Sequence, residues 1–377
     1  WHSSLFPEQI LEEAECVDFV VRGQGEPVAR DLVAMLQGGG DPSTVPGLTF
    51  RRDGRIVSNP ARPLTPMADL PRANYDIIDV ERYFQLKRQR QLDFVTSVGC
   101  HYRCRFCADP AVFLRRRTAL RADESAEHFV ELAARFDVGD VNFQDETFFT
   151  DRRWCLDLAE RLANVGRPFS WAATMRADQG CRMNHTDFSV LRSSGLRKLL
   201  IGVESGSPRI LERLGKDITR EQVLEVADRC RDHGIAVTYP FIFGIPGEET
   251  ADIHASLELA VHLRALDPRN DTPFFFYKPY PGSDLAHDVE ALGGSVPKNL
   301  EEWAQFDYVN TDSPWVDPRW THRIRRTGFY SRLGWSRPRW WALPVQAVAR
   351  WRCRTGIMGL PVEKTVADWL APRNRTA

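Results

Sequence analysis

This 377-residue chain has no run of eighteen or more apolar residues, so no helical membrane span can be read from it. It also has no basic stretch followed by an apolar segment and small residues, the pattern of a secretory leader, and a cytoplasmic location is the default expectation. Excess charge is absent: 50 basic residues face 51 acidic ones, for a formal net charge of -1. That balance excludes an overall polyelectrolyte and leaves only local patches, and with no recognition module in view no nucleic-acid partner is expected. Cysteine is sparse, and eight in a chain of this length are too few for a disulfide framework. Cys16, Cys155, Cys181, Cys230 and Cys353 stand singly and read as small buried hydrophobes or inert thiols, while the other three fall within eight residues. An initiator Met is missing too. The chain opens at Trp1 in what reads as the middle of a structural unit, and upstream residues are expected.

With 43% hydrophobic residues the chain can bury at least one full core, and its length suggests two or three units. A helical pattern from Pro7 to Glu15 leads into an apolar strand, Val17 to Val21, and a second helical stretch from Val28 to Leu36 stops at Gly38-Gly39-Gly40. Residues 1–40 therefore read as the tail of an α/β unit. Residues 41–90, rich in Pro, Asp and Arg, read as a linker with a hairpin-like LTFRRDGRIVSN that turns at Asp53-Gly54.

Over residues 91–290 apolar strand-like runs alternate with amphipathic helical ones: strands at 92–98, 140–144, 169–175, 198–203, 236–244 and 273–280, helices near 123–136, 151–165, 186–194, 219–233 and 250–265. Six repeats are too few to close an eight-fold barrel. The expected fold class is α/β, an open partial (β/α)6 barrel with its reactive groups at the C-terminal edge of the sheet. Residues 291–377 lose the alternation and read as a small, mainly helical region. No Asp or Glu occurs between Pro318 and Val362, where arginines gather with Trp320, Trp335, Trp340, Trp341 and Trp351.

Cys100, Cys104 and Cys107 lie at C-x3-C-x2-C in SVGCHYRCRFCADP, just after the first barrel strand. Three thiolates in one short loop suit a 4Fe-4S cluster with one iron open to a substrate. A structural zinc ion would need a fourth ligand, for which His101 is badly placed beside Cys100. A ferredoxin-like carrier would need a fourth cysteine, and Cys155 has no motif around it.

CHYRCRFC resembles the signature of the radical S-adenosylmethionine (SAM) superfamily, C-x3-C-x-aromatic-C, with Phe106 as the aromatic residue. The resemblance implies that the open iron binds the amino and carboxylate groups of SAM, and that the reduced cluster cleaves it to a 5'-deoxyadenosyl radical. It also assigns further segments. Asp145 and Glu146 in QDETF become candidates to hold the methionine ammonium, or else acids beside a helix N-cap at Thr150 or Asp151. Arg176 in TMRAD could pair with the methionine carboxylate or be a surface arginine. GVESGS is similar to the ribose-contacting segment, with Glu204 and Ser205 offering hydrogen bonds and Gly206 a close backbone approach. FIFGIPGEE is similar to the segment under the adenine, with Gly244, Pro246 and Gly247 in place; the plainer reading is a Pro-Gly turn. YKPYPGS resembles a segment of the members that carry a cobalamin-binding domain, and Tyr277 and Tyr280 there either face substrate or pack in the core.

The N-terminal WHSS, PEQIL, VDFVV and RGQGEP resemble the end of that cobalamin-binding domain, although its Asp-x-His-x-x-Gly motif is absent from the chain. The resemblance implies a cobalamin-associated radical enzyme acting on an unactivated carbon of a small-molecule or lipid-like substrate, most often by methyl transfer. An oxidative cyclase or rearrangement enzyme of the tetrapyrrole-cyclase kind uses the same parts, and a non-catalytic iron-sulfur module is the reading from another class. A flavodoxin- or ferredoxin-type reductant is the expected protein partner, and which residues act on the substrate stays open. The basic stretch GWSRPRWWALPVQAVARWRCR suits a membrane interface or an anionic partner, a lid, or an amphipathic helix packed on the barrel.

Overall fold

The computed structural model describes residues 1–165, 169–292, 294–306, 313–336, 340–359 and 361–365. Twelve strands are named in chain order: β1 (Phe19–Val21), β2 (Leu48–Arg52), β3 (Arg55–Ser58), β4 (Leu92–Phe94), β5 (Ser97–Val98), β6 (Thr118–Ala119), β7 (Asp140–Phe143), β8 (Ser170–Met175), β9 (Leu196–Ile201), β10 (Ala236–Thr238), β11 (Phe241–Phe243) and β12 (Phe274–Phe276).

The repeats expected from residue 91 onward build one curved wall. β4, β7, β8, β9 and β10 form a parallel sheet in that order, and β11 and β12 form a parallel pair. The fifth expected strand is divided at Tyr239-Pro240, because proline has no N–H to give to a ladder. The wall continues across the break: the Glu204 N–H donates to the Pro240 carbonyl at 3.0 Å, and the Ile242 N–H to the Glu204 carbonyl at 2.8 Å. No ladder joins β12 to β4 among the described residues, so the barrel is partial, as the count of six repeats implied.

Helices cover the outer face of this wall at the places the periodicity marks: Ala122–Arg135, Arg152–Ala163, His185–Ser193, Arg220–Asp232 and Thr250–Leu266. Three of them start on side-chain caps, with Asp151 accepting from the N–H groups of Arg153 and Trp154, Asn184 from Asp187 and Thr219 from Gln222. Their apolar stripes and the strands bury Phe129, Phe143, Phe148, Trp171 and Phe188 in one continuous core.

The hairpin of residues 48–58 turns at Asp53 and Gly54, both with positive φ, as two-residue hairpin turns require. It is not part of a linker. β2 pairs antiparallel with β1, so strand and hairpin make one three-stranded sheet, and the expected boundary at residue 40 falls inside a unit. The hairpin pairs because Leu48 and Phe50 are buried against Val28 and Val45. Residues past the hairpin run along the barrel and end in the helix Val80–Lys87.

The N-terminal ends of the barrel strands are tied by one carboxylate. Asp140 on β7 takes Arg197 in a two-pronged ion pair at 2.7 Å, Ser170 at 2.7 Å and Gln89 at 2.8 Å, with Gln91 also in contact. Asp140→Ala leaves Arg197, itself 30% exposed, without its carboxylate. The expected outcome is a loss of about 2 kcal/mol, below the cost of a fully buried unpaired charge because water screens the arginine, and denaturant unfolding will measure it.

Candidate active site

The loop that carries the three cysteines is pinned at both ends. β5 before it and β6 after it pair antiparallel, and Gly99, at φ +85°, passes so close to Arg116 that a Cβ would lie 2.3 Å from its carbonyl oxygen. Its middle is strapped to the turn at residues 214–217. The Arg105 N–H donates to the Leu214 carbonyl at 2.8 Å, and Arg103 grips Asp217 through two hydrogen bonds of 2.9 Å.

This strapping brings Cys100, Cys104, Phe106 and Cys107 to the edge of a cavity of about 190 Å³, with Glu146, Thr147, Arg176, Glu204 and Lys216 around it. Burial pushes the Cys100 and Cys107 thiols up, so anionic sulfur there needs a cation to stabilise it. Arg176 supplies one positive group: its Nη1 donates to Cys104 Sγ at 3.7 Å while Nε pairs with Asp178 at 2.8 Å and the guanidinium lies over the Tyr102 ring. Burial alone would pull Arg176 down, but Asp178 and Cys104 beside it hold it raised. Among the described residues no trio of His, Cys, Asp or Glu side chains converges on the spacing a single metal ion needs. His101, the remaining zinc ligand to consider, is exposed and outside the cavity. Three sulfurs around one shared cavity with a cationic neighbour fit a polynuclear cluster held by three thiolates.

Lys216 was not legible in the sequence. Its Nζ lies 2.8 Å from Glu204 Oε1, and both side chains are almost fully buried. Burial lowers Lys216, but Glu204 and Cys104 together leave the group raised. Glu204 sits at φ +64°, an uncommon conformation for a residue with a side chain, held by its two backbone hydrogen bonds to Pro240 and Ile242. The only sequence signal for Lys216 is a Gly-Lys-Asp turn between two helices, and nothing local shows that the turn faces the cysteines.

The other named residues divide between the cavity and its supports. Glu146 lines the cavity, and burial with Asp109 and Asp145 nearby raises its carboxyl. Asp145 is 1% exposed and points into the sheet, accepting from Thr96 Oγ1 at 2.7 Å, the Thr96 N–H and Ser97. It braces the first barrel strand and does not line the cavity. Ser205 and Gly206 turn toward the helix Thr250–Leu266: Ser256 Oγ lies 3.0 Å from Ser205 Oγ and accepts the Gly206 N–H at 2.9 Å. A Cβ on Gly206 would sit 2.3 Å from the Ala255 carbonyl oxygen, so the close approach is to that helix.

Gly244, Pro246 and Gly247 form a turn whose first part is covered and whose Gly247 is exposed. The Gly244 carbonyl accepts from Trp315 Nε1 at 2.7 Å, Pro246 is buried, and Gly247 packs on Arg213. Ile242, just before that turn, lines a second cavity of about 240 Å³ together with Pro240, Phe275, Tyr277 and Tyr280, and this space shares Phe106 and Glu204 with the first. Tyr277 is thus both core and wall, 2% exposed. A third cavity, about 670 Å³, lies along β4 between Leu70, Tyr75, Phe94, Val95 and His128 and reaches Glu146.

With this geometry in place, the relatives are informative. Residues 94–260 match the Radical SAM superfamily. An uncharacterized methyltransferase of Pyrococcus horikoshii is 28% identical over 312 residues, 82% of this chain and 66% of its own length. The anaerobic magnesium-protoporphyrin IX monomethyl ester cyclase of Rubrivivax gelatinosus is 26% identical over 325 residues, 84% of this chain and 56% of its own. The chain thus spans between half and about two thirds of the length of these relatives. In fold it is similar to the radical SAM methyltransferase TsrM from Kitasatospora setae, solved with cobalamin and a 4Fe-4S cluster bound, with a TM-score of 0.65, 17% identity and coverage of 94% of this chain and 81% of that one. Residues 94–260 are thus similar to a radical SAM domain, whose cofactors are a 4Fe-4S cluster and SAM.

Glu248 closes the 244–248 turn by accepting the Gly244 N–H at 2.6 Å, while its Oε1 is shut from water without a partner. Burial pushes its carboxyl up to about 8. The folded protein therefore holds this proton more tightly than the unfolded chain does, and stability falls as pH rises from the ordinary carboxylate range toward 8. Glu248→Gln keeps the acceptor and removes the charge. Calorimetry is expected to find the variant more stable than the parent at pH 8, on the order of 3 kcal/mol, with the gap closing near pH 4.

Proposed function

We propose that this chain is the radical-generating part of an enzyme that functionalises an unactivated carbon, and that methyl transfer is the reaction it serves. The observation that carries the reading is the convergence of Cys100, Cys104 and Cys107 with Arg176, Glu204 and Lys216 around one cavity that shares Phe106 and Glu204 with an apolar one. When bound, the cluster and SAM supply a 5'-deoxyadenosyl radical that abstracts hydrogen from the substrate.

The chain's own residues do the positioning. Cys100, Cys104 and Cys107 would hold the cluster as thiolates, and the donor from Arg176 to Cys104 Sγ would favour its more negative, reduced state. Glu146 offers a carboxylate to the methionine ammonium, and Glu204, fixed by Lys216, offers acceptors to the ribose. Ile242 and Phe275 give a flat apolar ring a surface to rest on, and the space toward β4 leaves room for an apolar substrate kept from water. Cobalamin is the methyl source such a reading implies, although the sequence carries no Asp-x-His-x-x-Gly motif. A flavodoxin- or ferredoxin-type protein supplies the electron. The likeness to a tetrapyrrole cyclase favours oxidative ring closure or rearrangement as the second reading, separated from the first by product mass: a methyl gain against a loss of hydrogen.

Anaerobic reconstitution with iron and sulfide, then dithionite and SAM, is expected to yield 5'-deoxyadenosine, and Cys104→Ala to abolish it. A cluster that forms without cleaving SAM, even with cobalamin present, would leave an iron-sulfur module and no radical enzyme. Arg176→Met is expected to make the cluster harder to reduce, read as a more negative midpoint in an EPR-monitored redox titration.

A further inference from the structure

The helix Leu343–Thr355 has two unlike faces. One packs on the helix Pro318–Gly334, burying Gln346, Ala349 and Arg352, and the two helices approach so closely at Gly334 that a Cβ there would stand 3.2 Å from the Arg350 nitrogen. The other face is apolar and open. Leu343 is 47% exposed, Val348 38% and Trp351 50%, with Pro344 and Ala347 between them. Trp340, 84% exposed, stands just ahead of the helix, and Ile357, 51% exposed, just behind it. Of the tryptophan-arginine stretch, Arg337, Pro338, Arg339 and the side chain of Trp341 lie outside the described residues.

A lone exposed leucine needs no explanation, but a contiguous apolar face on a helix does. Its electrostatic setting narrows the choice. Residues 318–362 contain ten arginines and no Asp or Glu, in a chain whose overall charge is -1, and of these Arg319 and Arg352 pair with the flanking Asp317 and Glu363. Arg332 and Arg354 are exposed, Arg354 at the end of the apolar face. Nucleic acid would meet a charged face first, with phosphate contacts leading, whereas here the centre is apolar and the charge lies at its margin. Tryptophan at both ends of an apolar stripe beside arginine is the arrangement that lies in the headgroup plane of a bilayer. No helix among the described residues is long and apolar enough to cross a membrane, so such a contact is a lying one.

We propose that this face docks the protein on a bilayer containing anionic lipids, with Trp340, Leu343, Val348 and Trp351 entering the headgroup boundary and the surrounding arginines meeting lipid phosphates. The experiment is co-sedimentation of the full chain with vesicles of phosphatidylcholine and with vesicles enriched in phosphatidylglycerol. Binding to the second kind only, weakened by salt and accompanied by a blue shift of tryptophan emission, is expected. Trp340→Ala with Trp351→Ala should abolish it, and Arg354→Glu should weaken it roughly five-fold or more; all three positions are exposed, and circular dichroism checks that the fold is kept. Absence of sedimentation with either vesicle, or equal sedimentation of the double tryptophan variant, overturns the proposal. So does light scattering that finds a concentration-dependent dimer broken by the same two changes, since the face is then an interface between copies.

Discussion

The site depends on one constraint, the strapping of the cysteine loop to the turn at residues 214–217. The loop has little regular structure of its own, and three thiols on a free segment would have no fixed arrangement. Two kinds of contact remove that freedom: the β5–β6 ladder at its ends, and the Arg105–Leu214 and Arg103–Asp217 hydrogen bonds at its middle. The same turn sends Lys216 into the cavity, where it meets Glu204 and, through its carbonyl, Arg176. Cysteines, acid and cation are thus placed by one short piece of chain that itself contributes only a lysine.

The base of the barrel is held differently. There Asp140 gathers arginine, serine and glutamine from neighbouring segments, and Asp93 on β4 takes Tyr83, Lys87 and Gln144. The Asp140 network ties the ends of the strands away from the cysteines, while the Asp93 network reaches Gln144 just past the other end of β7. Positive φ at residues with a side chain occurs at both ends of the wall, at Arg88 and Asp137 near the base and at Glu204 and Asp217 beside the cysteines.

Most of the barrel was legible because parallel strands buried on both faces leave continuous apolar runs, and the helices between them keep a 3.6-residue period. Proline at 240 broke a run that hydrophobicity alone shows as one strand. The hairpin of residues 48–58 was recognised as a hairpin but assigned to a linker, since a turn signal says nothing about which third strand will pair with it. In the site, the cysteines carry their own spacing, and Glu146, Arg176 and Glu204 follow from their place at strand ends. Asp145, Ser205, Gly206 and the 244–247 turn occupy the same strand ends, yet their side chains or their missing Cβ atoms serve the packing of β4, of the helix Thr250–Leu266 and of the 313–316 segment. Alternation along a strand separates an inward from an outward residue only when the register is known, and at a strand's last residue the chain is already turning. Lys216 was invisible because its role arises from a contact between segments more than a hundred residues apart.

The break at Tyr239-Pro240 has a mechanical consequence. β8 and β9 share a long ladder, but the β11–β12 pair is joined to the rest of the wall near the site through the two backbone hydrogen bonds around Glu204. That pair carries Ile242 and Phe275, which form the apolar side of the space beside Phe106. The apolar side of that space therefore rests on strands seamed to β9 by fewer backbone hydrogen bonds than join β8 to β9, while the cysteine loop is fixed by separate contacts to residues 214–217.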